Sequence, residues 1–246
     1  MKGTRPSNEG FRRKVEHSAF RVGTQVRALG PKGKGSRFGL LHVIDSVSHV
    51  TGKRPQDMRV LEIGSGSGRL AEELRKKEGI KPSNYVMGDL TYRTRDAPAL
   101  KRKIFSRVKK GKMQARQMDI FRKPGNIGKF DIIAVPFVLG TPKYLNAMLE
   151  NYFEKLSPGG IMVVGSAHYS GNQLAALTEK VARNPFMTIE QLSEEEREAF
   201  ALASKLHELQ EKGEIERYTN SGVFFKEHAA DHPSRTFIIQ RKPITH

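Results

Sequence analysis

Three glycines at alternate positions, Gly64, Gly66 and Gly68, follow the apolar Val60, Leu61 and Ile63 and precede a helix-like stretch from Arg69 to Lys77. That order reads as a buried strand entering a glycine-only turn and then a helix. Without Cβ atoms the turn lets a ligand approach the backbone closely, and the helix offers its first N–H groups to that ligand. The chemistry implied is recognition of a nucleotide-like cofactor. A dinucleotide fingerprint, G-x-G-x-x-G/A, needs a third small residue where this chain has Arg69, which counts against NAD and FAD. Two carboxylates follow at the ends of strand-like runs, Asp89 after Tyr85-Val86-Met87-Gly88 and Asp119 after Met118. A carboxylate at the first position can accept from two neighbouring hydroxyls at once. Taken singly, Asp89 reads equally well as a solvated strand-end acid and Asp119 as a turn or N-cap residue. Their joint spacing behind the glycine loop is what lifts them above those readings.

The pattern Glu62-x-Gly64-x-Gly66-x-Gly68 resembles the first motif of class I S-adenosylmethionine (SAM) dependent methyltransferases, and four further motifs follow in the family's order. Tyr85 to Asp89 resembles the strand whose acid holds the SAM ribose, and Met118-Asp119-Ile120-Phe121 the adenine site. Lys129 to Leu139 looks like the fourth strand and its exit, and Leu156 to Val164 like the turn into the fifth. Together they cover roughly residues 58–168. The resemblance implies a SAM site built from Glu62, Gly64, Ser65, Gly66, Gly68, Asp89, Leu90, Asp119, Ile120 and Pro136. It also implies an α/β fold: a doubly wound, mostly parallel seven-stranded sheet with a C-terminal antiparallel hairpin.

The elements that must position these residues alternate along the chain as that fold requires. Strands are expected near 59–63, 84–88, 114–118, 130–135 and 160–165, with strand-like stretches at Gly222–Lys226 and Thr236–Arg241 forming the hairpin. Residues 38–50 read as a helix with Leu40, Leu41, Ile44 and Val47 on one face and Gly52 as its stop. Further helices are expected at 172–184 and 193–212, the latter opened by Ser193 with Glu196 three residues on. The organisation is then a basic extension or lid over residues 1–37 and a methyltransferase domain over 38–246.

The chain has 246 residues and no cysteine, which excludes disulfides, thiolate metal sites and a cysteine nucleophile. Its formal net charge is +17. Residues 1–37 hold ten Lys or Arg against two Glu and residues 92–117 ten against one Asp, so the rest of the chain is neutral. Two single-sign blocks point to a polyanionic partner, RNA first among them. The plainer reading of the second block is the solvated face of a helix whose apolar side is Leu100, Ile104 and Val108. No run approaches the roughly 20 apolar residues of a membrane span, and a cytoplasmic protein is expected; Glu9 and Glu16 count against an organelle transit peptide.

The methyl of SAM is already activated as a sulfonium, so such a protein needs chiefly to align a nucleophile behind it. The strand-four exit reads Ala134-Val135-Pro136-Phe137, without the Asn/Asp-Pro-Pro-aromatic tetrad of amino-directed nucleic-acid and glutamine enzymes. Substrate contacts are expected at strand exits, which singles out Phe137, His168 and Tyr169 as candidate catalytic residues. Phe137 also reads as packing and His168 as strand-end polarity. His228, Asp231 and His232 lack a further ligand at metal spacing, so no metal is expected. The reading is a SAM-dependent methyltransferase acting on RNA. A small-molecule methyltransferase of the same fold, or a nucleic-acid-binding protein with a degenerate site, are the alternatives.

Overall fold

The computed structural model describes residues 35–65, 68–93, 113–135, 142–167, 183, 189–221 and 235–244. Seven strands form one sheet: β1 (Val60–Ile63), β2 (Tyr85–Asp89), β3 (Gln114–Gln117), β4 (Phe130–Val135), β5 (Leu156–Ala167), β6 (Ile215–Ser221) and β7 (Arg235–Arg241). Their order is β3-β2-β1-β4-β5-β7-β6. The pairs from β3 through to β5 are parallel, and β7 runs antiparallel to both β5 and β6. This is the doubly wound, mostly parallel sheet with its antiparallel C-terminal pair.

Alternation along β1 sends successive side chains to opposite faces. Leu61 and Ile63 pack with Leu145, Met148 and Leu149 of α3 (Pro142–Tyr152) and with Leu202 and Leu206 of α4 (Glu194–Glu211). Val60 faces the other way, toward Ile44 and Val47 of α1 (Gly35–Thr51) and Ala71 and Leu74 of α2 (Arg69–Glu78). Every residue of β1, β2 and β4 is buried, which is why those strands read as near-continuous apolar runs.

Local chemistry sets the helix ends. Ser193 caps α4 reciprocally with Glu196: the Glu196 N–H donates to Ser193 Oγ at 3.2 Å and the Ser193 N–H to Glu196 Oε2 at 3.0 Å. Helix α1 begins at Gly35, three residues before the helix expected from 38, and Gly52 ends it with φ 67°. Lys53 then reaches the amino end of β4, where its Nζ lies 2.7 Å from Oδ1 of buried Asp131.

The structure adds one strand to those expected and corrects the start of another. The penultimate strand is Ile215–Ser221, directly after α4; the expected strand at Gly222–Lys226 lies outside the described residues. Strand β6 is the sheet's edge, so one of its sides needs no partner and its Glu216, Arg217, Thr219 and Asn220 carry no apolar run to betray it. Strand β5 starts at Leu156 rather than near 160, because Ser157-Pro158-Gly159-Gly160 is absorbed as an irregularity within the strand. Pairing jumps from Phe130↔Leu156 to Ile132↔Ile161. Gly159 takes φ 74°, and a Cβ on Gly160 would lie 2.8 Å from the Ser157 carbonyl oxygen and 3.0 Å from that of Asp131.

Residues 1–34 of the basic extension, 94–112 of the second basic block, and the expected helix at 172–184 apart from Arg183 also lie outside the described residues. No helix among the described residues is long and apolar enough to cross a membrane.

Candidate functional site

From β1 the sheet grows in one direction through β2 and β3 and in the other through β4 and β5, so the strand order reverses beside β1. In open α/β sheets the crevice beyond the carboxyl ends at such a point is where ligands bind. Gly64 and Gly68 of the first motif sit there. The N–H groups of Gly64 and Ser65 both donate to the Gly88 carbonyl, at 2.8 and 3.1 Å, which latches the turn to the end of β2. Gly64 and Gly68 take φ 75° and 71°, a region glycine enters without strain. A Cβ on Gly68 would meet Met87 Sδ at 2.6 Å, so the turn also packs tightly against β2. Gly66, at the middle of the motif, lies outside the described residues.

Ser65 is buried and its side chain serves the scaffold: Oγ donates to the Gly88 carbonyl at 3.2 Å. The Tyr92 phenol lies 2.5 Å from the same Oγ, a second hydrogen bond that ties the turn to the segment after β2. Tyr92, at the start of the second basic block, thus braces the glycine turn.

Glu62 points into the α1/α2 face and is 1% exposed. Tyr85 donates to its Oε2 at 2.8 Å. Burial pushes the Glu62 carboxyl up from 4.5 to about 8; the Tyr85 hydrogen bond opposes the rise and the charge of Asp89 adds to it. Burial also raises the Tyr85 phenol well above its usual value. At neutral pH Glu62 is therefore mostly protonated. Sequence gave no sign of Tyr85 as its partner, because only the register, with Glu62 opposite Met87, puts Tyr85 on Glu62's face.

Asp89 ends β2 beside the latched turn and is 8% exposed, and its carbonyl accepts from the Met118 N–H at 3.2 Å. Leu90 follows in a short 3-10 turn, its carbonyl accepting from Gln117 Nε2 at 3.1 Å. Asp119 and Ile120 lie just past β3. Asp119 Oδ1 accepts from the Phe121 N–H at 3.0 Å and its carbonyl from the Arg122 N–H at 3.0 Å, a side-chain-stabilised turn. The end of α3 secures that turn: Tyr152 donates to the Asp119 carbonyl at 3.1 Å and Asn151 Nδ2 to that of buried Ile120 at 2.9 Å. Arg122 Nε is 3.8 Å from Asp119 Oδ2. Nothing local in the sequence marked Asn151 or Tyr152.

The structure thus brings Gly64, Ser65, Gly68, Asp89, Leu90, Asp119 and Ile120 to one end of the sheet, with Glu62 beneath them. Pro136, Phe137, His168 and Tyr169 lie outside the described residues, as do His228, Asp231 and His232. Among the described residues no cluster of three or more His, Asp or Glu side chains is placed to hold a metal ion.

Residues 61–162, from β1 to β5, match the family model of a methyltransferase domain. That stretch is a methyltransferase domain. Two solved methyltransferases share the fold over nearly its whole length. The plantazolicin methyltransferase BpumL, solved with a substrate analog and SAH, covers 94% of this chain and 95% of its own at TM-score 0.56 and 13% identity. A TehB-like SAM-dependent methyltransferase from Corynebacterium glutamicum covers 92% and 97% at TM-score 0.51 and 15% identity. Fusarielin synthase FSL1 of Gibberella zeae is 32% identical over 133 residues, 52% of this chain; the match spans only 5% of that synthase. The methyltransferase domain's cofactor is SAM, and the residues present suit it: a glycine turn with positive φ at the switch point and a carboxylate ending the neighbouring strand. Asp89→Ala is expected to weaken SAM binding in calorimetry by about 1.5–3 kcal/mol, the scale of hydrogen bonds to a charged group. Unchanged affinity would move the ribose site away from β2.

Proposed function

We propose that this chain transfers the methyl of SAM to a polyanionic acceptor, RNA in the first instance, at the carboxyl end of its sheet. The observation that supports this acceptor is electrostatic. Arg116, Arg122 and Lys123 line the same cleft as Asp119, on a chain of net charge +17. Phosphates gather at such a rim, and their binding releases counterions. A cytoplasmic place of action accompanies this reading.

When bound, SAM supplies an activated methyl whose transfer needs a nucleophile in line behind it. The protein's part is positional. The turn latched to Gly88 fixes where the cofactor lies, Asp89 is suited to hold the ribose and Asp119 with Ile120 to hold the adenine. The acceptor approaches from the strand exits, where Phe137, His168 and Tyr169 are the proposed contacts. A nitrogen nucleophile with a free lone pair would need no base, whereas a hydroxyl would need one, for which His168 is the candidate.

A second reading has its own support: the similar fusarielin synthase and plantazolicin methyltransferase are named for natural products, which favours a small-molecule acceptor. Transfer of radiolabelled methyl from SAM into a cell extract, split by nuclease, protease and size filtration, separates the two. The expected result is nuclease-released label, formed less readily as salt rises. Label confined to the small-molecule filtrate would overturn the RNA reading.

A further inference from the structure

Among the described residues Phe121 and Ile244 are the large apolar side chains left exposed, and Phe121 is 37% exposed in the turn that follows β3. Its ring stands on half-buried Tyr144 at the start of α3, centroids 5.3 Å apart and planes tilted by 50°. The backbone beneath it is held by the Asp119 turn, by Asn151 and by Tyr152. An aromatic on so well-braced a turn holds its orientation. The next two residues are Arg122 and Lys123, which line a cleft together with Arg116 of the exposed edge strand β3. Arg122 is 68% exposed, and Arg116 and Lys123 are exposed too. Arg122's ion pair with Asp119, at 3.8 Å, leaves the cluster with a net positive charge.

A braced, exposed ring followed by two cations, with a third lining the same cleft as they do, suits a ligand with flat apolar faces and a regular negative backbone, which is single-stranded nucleic acid. We propose that Phe121 is a base-stacking platform and that Arg116, Arg122 and Lys123 track the adjoining phosphates, so that this strip binds an unpaired segment of the RNA substrate. The proposal rests on the RNA reading and adds the site and the single-stranded form. Duplex would gain little here, because its bases are already stacked on one another and hide their faces from the ring.

The test is fluorescence anisotropy of the full chain with a short fluorescein-labelled oligouridylate, across a salt series. Phe121→Ala is expected to weaken binding about tenfold, within the range for loss of one stacked base, while Phe121→Trp retains it. Replacing Arg116, Arg122 and Lys123 together by Gln should lower the slope of log affinity against log salt by about two, given about 0.7 per phosphate contact for single strands. Unchanged thermal midpoints establish that the variants are folded. Wild-type binding that all variants preserve would overturn the strip while leaving the RNA reading intact. Binding sensitive to the Gln variant but not to Phe121→Ala would overturn the stacking role. If the wild-type chain neither binds nor methylates RNA, the underlying reading fails and the strip with it.

Discussion

Urea midpoints of the wild-type chain should fall as pH rises from 5 to 8, and Glu62→Gln should remove most of that dependence. The cause is the buried carboxyl, pushed from 4.5 to about 8 by desolvation, with Tyr85 opposing and Asp89 reinforcing the rise. The folded protein holds this proton more tightly than the unfolded chain does. Below about 4.5 both states are protonated and the full contribution is present. Through the window up to about 8 the unfolded chain ionises first, and folding loses about 1.4 kcal/mol per pH unit. The whole window amounts to about 5 kcal/mol, a large share of a typical domain's stability. Above it both forms are ionised and the dependence stops. Tyr85→Phe sharpens the test: it removes the phenol that donates to Oε2, so the decline should extend to higher pH. A flat wild-type profile, or one that Glu62→Gln leaves unaltered, would mean that water reaches this carboxyl.

Gly160→Ala should destabilise the fold by about 3 kcal/mol, the upper part of the range for overpacking. The added methyl would stand 2.8, 3.0 and 3.2 Å from the carbonyl oxygens of Ser157, Asp131 and Phe130. These are backbone atoms of paired strands, and no rotamer change can withdraw them. Relief requires moving β5 away from β4 at the irregularity where their register shifts. Thermal denaturation should register a loss of about 6–12 °C at this chain length. Gly125→Ala is the matched control, since nothing lies within 4 Å of its added Cβ, and it should be near neutral. Equal midpoints for the two variants would show that β5 yields freely at Gly160.

The parts of the fold that were legible share a physical reason: their signals are local. Strands β1, β2 and β4 are buried on both faces and so read as near-continuous apolar runs, broken only by Glu62, Asp89 and Asp131. The start of α4 was readable because its cap closes over three residues, Ser193 to Glu196. The glycines announced their turn because positive φ at Gly64 and Gly68 needs glycine. Strand β6 was not legible, for its polar edge sequence depends on pairing with β7, distant in the chain. The start of β5 was obscured by a Pro-Gly-Gly sequence that reads as a turn until β4 lies beside it.

By itself the sequence determined that this chain forms a doubly wound α/β sheet with a glycine turn and two strand-end carboxylates in the order of a SAM-dependent methyltransferase. It did so because residue type and spacing fix periodicity, caps and turns within a few neighbours. Tertiary structure alone decided the environment of each group. Glu62 became a buried carboxyl because parallel pairing brought Tyr85 to its face, and Ser65 became a brace because Gly88 and Tyr92 converge on it. The Asp119 turn became rigid because the end of α3 packs under it. These contacts join residues 23 to 33 positions apart, and strand register and helix packing, which no local window contains, set them.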